Sequence, residues 1–155
     1  MKLFEVLKLN TEPFSIEVED GLEFPENKTE VAKEFIKFCC DELEIFGEFK
    51  CILCHDREKN GVTTTAFYRD KDKLICVYAK NRMLGDVMRS VAHELVHKKQ
   101  YEDDRIKLPV QDVGGVIEDE ANAIAGQLVK KFIKTKENGV HLFESVDFIT
   151  KNILD

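Results

Sequence analysis

Apolar positions along the chain fall into helically spaced series and short β-favouring runs set off by turn-like segments, and these mark out the elements. From about Thr29, the series Val31, Phe35, Ile36, Cys39 and Leu43 has helical spacing, with Asn27 or Thr29 available to cap its start. Ahead of it, residues 1–27 mix short apolar runs with acids and end in the segment LEFPENK; SIEVEDGLEF within them reads as a small hairpin. Three short β-favouring stretches follow, at about 49–54, 63–68 and 74–78, separated by the turn-like EKNG and RDKDK. Connections that short predict antiparallel neighbours. A second helix is predicted over about 84–101, then a loop with Pro109, Gly114 and Gly115, then a third helix over about 116–134. Gly139 closes that region, and HLFESVDFITKNIL supports a last helix. No repeat or low-complexity tract is present.

Composition narrows what such a chain can be. With 155 residues and 43% hydrophobic content, one core and a single domain over 1–155 are expected, of α+β class. Lys and Arg number 23 against 30 Asp and Glu, and the net charge of -7 repels phosphate backbones and anionic lipid. Nucleic acid and membrane are therefore not expected partners. The N-terminal MKLFEVLKLN interrupts its apolar stretch with charges, unlike a signal peptide, and no run reaches membrane-spanning length. Five cysteines, Cys39, Cys40, Cys51, Cys54 and Cys76, are an odd number in a chain able to build a core, which argues against a disulfide framework and for a reducing cytoplasm. No pattern specifies a subunit number.

The chemistry concentrates in His93-Glu94-Leu95-Val96-His97, an H-E-x-x-H run inside the second predicted helix. Helix positions four apart share a face with Cβ atoms about 5–6 Å apart, a spacing that lets two imidazoles hold one zinc ion. Glu94, next to the first ligand, is then placed to take a proton from water attacking a carbonyl. At about 100° per residue, Leu84, Val87, Met88, Val91, Ala92 and Leu95 form the apolar stripe, and His93 and His97 lie nearly opposite, away from the core. An exposed pair of histidines without function is the bland alternative.

A hydrolytic zinc site commonly has three protein ligands and an open position. The third predicted helix supplies Glu118, Asp119 and Glu120. Its apolar stripe is Ile117, Ala121, Ala125, Leu128, Val129 and Phe132, and Glu118 falls within it while Asp119 and Glu120 point away. An inward carboxylate is costly unless bound to a metal or paired with a cation, so Glu118 is either the third ligand or half of a buried ion pair. Asn122, one turn on, either orients a ligand histidine through its free ring nitrogen or packs between helices. Ala121, Ala125 and Gly126 would allow close helix approach.

His93-Glu94-x-x-His97 with Glu118-x-x-Ala121-Asn122 resembles the gluzincin metallopeptidases, which pair an H-E-x-x-H helix with a second helix carrying a ligand Glu. The 21 positions from His97 to Glu118, and the order of helix, strands, H-E-x-x-H helix and Glu helix, are similar to that group over residues 29–134. The flanking VAHELVHKKQ and EDEANAIAG resemble its small bacterial and phage members. The resemblance implies a zincin-like fold: a small antiparallel or mixed sheet of about three strands packed with the two metal-binding helices. It implies zinc held by His93, His97 and Glu118, with Glu94 as the catalytic base, and a protein or peptide substrate lying beside the strand before the metal helix, here 74–79. Asn122 stands where many relatives have Asp, and no motif marks an oxyanion-stabilising residue; Tyr101, Arg105 and His141 are the candidates.

Other signals are set aside. Cys51-Ile52-Leu53-Cys54-His55 matches the covalent haem pattern, but in a strand positions three apart face opposite ways. Glu102-Asp103-Asp104 and Lys130-Lys131 read as solvated faces, and most Phe residues as core. The expectation is thus a zinc metallopeptidase, with two alternatives: a zinc-stabilised regulatory or interaction domain of little proteolytic activity, and a hydrolase of another amide or ester.

Overall fold

A computed structural model describes residues 13–106 and 115–136, and the first element in it is formed by strand-favouring residues with a short alternating pattern. Strand β1 (Phe14–Val18) is followed by helix α1 (Glu26–Leu43), β2 (Phe49–Cys54), the single turn α2 (Arg57–Asn60), β3 (Ala66–Arg69), β4 (Leu74–Tyr78), α3 (Leu84–Glu102) and α4 (Val116–Lys134). The expected last helix, His141, Gly139 and the loop residues Pro109 and Gly114 lie outside the described residues.

The sheet has four strands rather than three and is mixed, in the order β1-β2-β4-β3. β1 runs parallel to β2, pairing Phe14 with Phe49, and β2 runs parallel to β4, pairing Lys50 with Leu74. Among the described strands only β3 and β4 form an antiparallel hairpin, in the register Ala66 to Val77. The short-connection argument therefore holds for RDKDK, where Lys73 takes the left-handed backbone (φ 53), and fails for EKNG. That segment winds into α2, capped by Asp56 accepting from the Lys59 amide at 3.0 Å and closed by Gly61 at φ 71. The chain still reverses after it, since β3 runs opposite to β2, but the two strands are not neighbours: β4 lies between them. The expected SIEVEDGLEF hairpin is also corrected: its first half is β1, and after Gly21 (φ 91) the chain enters α1, a crossover that makes parallel pairing possible. The strand expected at 63–68 sits at Ala66–Arg69.

Glu19 secures the ends of β1 and β2. Its carboxylate accepts from the His55 and Asp56 amides at 3.1 and 3.0 Å and from the Asn60 side chain. The Asn60 bond leads the causes that hold this carboxyl below its ordinary range.

Helix α1 starts at Glu26, earlier than expected, because Pro25 keeps an extended backbone (φ -67, ψ 163) and helical geometry begins at the next residue; neither Asn27 nor Thr29 is the cap residue. At its far end the Ile45 amide reaches Cys40 O at 3.0 Å and the Glu44 amide reaches Asp41 O at 3.3 Å, a Schellman closure with Glu44 left-handed at φ 56. Its Phe35, Ile36 and Cys39 pack into the main core with Cys51, Leu53, Ile75 and Val77 from one face of the sheet. The other face carries a smaller cluster of Cys54, Val62 and Cys76. Cys51 and Cys54 therefore point to opposite sides, as strand geometry requires, and all five cysteines are free and buried.

Helix α3 is the organising element, in contact with α1, α4, β3 and β4. Its expected stripe of Leu84, Val87, Met88, Val91, Ala92 and Leu95 is buried, and so are Glu94, Val96, His97, Lys98 and Gln100. The placement of His97 away from packed surroundings is corrected: it is 6% exposed because α4 lies over it. Ala121 and Ala125 are buried along α4, whereas Gly126 faces open space and contributes nothing to helix approach. Phe132 anchors α4 against Phe35, edge to face at 5.2 Å. Glu102, expected on a solvated face, pairs with the buried Lys98 at 3.1 Å. Among the described residues no helix is long and apolar enough to cross a membrane.

Candidate metal centre

Two turns of α3 and the first turn of α4 bring three donor groups to one point. On α3, the i and i+4 spacing puts the His93 and His97 Nε2 atoms 3.1 Å apart. From α4, Glu118 divides its carboxylate between them, with Oε1 at 2.7 Å from His93 Nε2 and Oε2 at 3.1 Å from His97 Nε2. All three donors fall within 4.8 Å of one another, and among the described residues they form the one group of three His, Cys, Asp or Glu side chains so disposed. Ligands about 2.0–2.1 Å from a tetrahedral zinc ion stand roughly 3.3 Å apart, so this donor set has close to the spacing and the chemistry that such an ion takes.

The His97 ring is held from behind: its Nδ1 lies 2.8 Å from Gln100 Oε1. Asn122 lines the cleft beside the His93 ring. Gln100 is not singled out by the sequence, although its position three residues after His97 puts it on the same helix face. Burial pushes the His93 ring below the ordinary histidine range against the opposing charge of Glu118, which favours the neutral form that a metal requires.

Glu94 lies at 7% exposure in the wall of the cleft that the donors share. This cleft, of about 780 Å³, runs between α3, the start of α4 and the segment 64–71 that contains β3. The strand beside the site is thus β3, a correction to the expectation for 74–79. β4 is hydrogen-bonded by β2 on one side and β3 on the other, which leaves it no free edge, while β3 ends the described sheet.

The three oxyanion candidates separate. Tyr101 lines the cleft, with its ring 5.6 Å from that of Tyr68. Arg105 is held by both oxygens of Glu120 and is not among the residues that line the cleft. Glu120, expected to point away, instead faces the end of α3. His55, last residue of the haem-like pattern, bonds Asp20 O at 2.8 Å, and the neighbouring Cys54 thiol contacts Cys76 at 3.7 Å. Burial pushes the Cys51 thiol up to about 12, so it stays protonated.

No protein-family model, curated protein or solved structure matches the chain.

Proposed function

We propose that the chain is a zinc-dependent hydrolase of peptide bonds with a zincin-like arrangement. The observation that carries this reading is the convergence of His93, His97 and Glu118 at one wall of a cleft that also presents Glu94. The resemblance of the H-E-x-x-H and E-x-x-A-N segments to gluzincins supports it independently. His93, His97 and Glu118 would hold the ion, which when bound supplies Lewis acidity to an incoming carbonyl and acidifies water.

The chain's own residues supply the rest. Glu94 accepts the proton of the attacking water and returns it to the leaving amine. The edge of β3, outermost in the described sheet, offers backbone groups to an extended peptide, which adds to the sheet as one more strand and lies along the cleft. Tyr101 is a cleft-lining donor for the carbonyl oxygen as negative charge develops there.

One observation favours the non-proteolytic alternative, a zinc-stabilised binding domain: Arg105 is paired with Glu120 and does not line the cleft, which leaves Tyr101 as the one expected oxyanion candidate at the cleft among the described residues. Metal analysis of the purified chain with its His97→Ala and Glu118→Ala variants, followed by an unbiased peptide library with and without chelator, tests both. Stoichiometric zinc in the parent alone, with chelator-sensitive cleavage, is the expected result. Zinc without cleavage favours the binding domain, and cleavage of other amides or esters alone points to the non-peptide hydrolase.

A further inference from the structure

Gln100 is 1% exposed, and its two ends can be told apart by what surrounds them. Nε2 lies 3.1 Å from the carbonyl oxygen of Ile117 and 3.1 Å from Glu120 Oε1. A carbonyl and a carboxylate only accept, so the amide must present its NH2 group to them. That leaves Oε1 toward His97 Nδ1 at 2.8 Å, and since an amide oxygen cannot donate, the hydrogen sits on Nδ1. The neutral ring then has a bare lone pair on Nε2, the atom that faces His93 and Glu118.

The same side chain joins the two helices that carry the donors. Ile117 immediately precedes Glu118, so the bond to its carbonyl ties the first turn of α4 to α3 one turn past His97. Glu120 completes the tie, and Arg105 grips its carboxylate from outside, with Nη2 3.0 Å from Oε2. A carboxylate at position 100 would face Glu120 without a proton between them, and an apolar residue would leave Ile117 O without this partner.

We propose that Gln100 is a positioning residue for the metal centre: its amide sets the His97 tautomer and holds the Glu118 turn at the distance at which both can grip one ion. The inference rests on the metal-centre reading.

Chelator-competition titration of Zn2+, and absorption spectroscopy of the Co2+-loaded chain, test it on the parent and on Gln100→Leu. The expected result is a metal affinity lowered about 10–100-fold in the variant, with an altered Co2+ ligand-field spectrum. Circular dichroism establishes that the variant is folded. Unchanged affinity and an unchanged spectrum in a folded variant overturn the proposal. A parent that binds neither ion overturns the centre itself and the proposal with it, so the two failures are distinct. Should the variant not fold, nitrogen-15 NMR of the metal-free parent decides: hydrogen on His97 Nδ1 is expected, and hydrogen on Nε2 alone overturns the assignment.

Discussion

The rings of His93 and His97 stand nearly perpendicular, at 83°, with their centroids 4.7 Å apart and their Nε2 atoms aimed at one another. Two lone pairs so directed repel unless a proton or a cation lies between them. Glu118 adds a third electron-rich group to the same point. The centre is therefore most stable when something positive fills it.

Metal should accordingly stabilise the fold. At a free zinc concentration 100 times the dissociation constant, linkage contributes about 2.7 kcal/mol, or roughly 5–11 °C in Tm for a domain of this size. Thermal melts with Zn2+ and with chelator measure it. A Tm that zinc raises equally in His97→Ala would sink the claim.

Glu94→Gln should retain metal and fold while lowering kcat/KM by about 10²–10⁴, the usual contribution of a positioned base. The comparison uses a peptide that the parent cleaves. Parent-like turnover would remove Glu94 from the mechanism.

Acid should release the metal late. Burial leads the causes that lower the His93 pKa, so the ring stays neutral below the pH at which an ordinary histidine protonates. Metal occupancy is then kept as pH falls through the ordinary range and lost as pH falls through the lowered value. Zinc retention measured against pH checks this, and release at or above the ordinary histidine pKa contradicts it.

Lys98 and Glu102 give an asymmetric prediction. The ammonium is 1% exposed and lies 5.7 Å from the centroids of both Phe49 and Tyr68. Removing one partner of a buried pair costs about 3–5 kcal/mol, and because the Glu102 side chain is 23% exposed, the loss in Glu102→Ala should fall below that range. Lys98→Met, which replaces the charge with a packed apolar chain, should be milder. Urea melts of both variants order them, and the reverse order defeats the argument.

Phe132→Ala should cost about 3–5 kcal/mol as a large-to-small change in the core, since its ring meets Phe35 at 5.2 Å and Phe38 at 5.4 Å. Because this contact seats α4, zinc affinity should weaken as well. Normal affinity in a destabilised variant would show that Glu118 is held by its first turn alone.

The helices were legible in the sequence because their information is local. The spacing of Leu84 to Leu95 defines a buried stripe without reference to any other element, and Glu118 falls on the apolar side of its own helix wheel. What failed was non-local. A wheel drawn for α3 in isolation cannot register that α4 covers the opposite side, so His97 read as outward-facing and Gln100 as unremarkable. Sheet order was hidden for the same reason: the β-favouring apolar run of Leu74–Tyr78 reveals a strand but not its neighbours, and β2 comes to lie beside β4 because α2 and β3 intervene. EKNG misled through composition, since a capping Asp and a terminal Gly serve a single helical turn as readily as a reversal.

The mixed sheet separates two tasks. The three candidate metal donors lie on helices locked together through the interior, whereas Asp70 and Lys71, at the hairpin reversal, border the cleft outside the strand ladder. Asp70 is tied to Tyr68 and Lys73, so it is at Lys71 that substitutions should change the border of the cleft while leaving the donor triad in place.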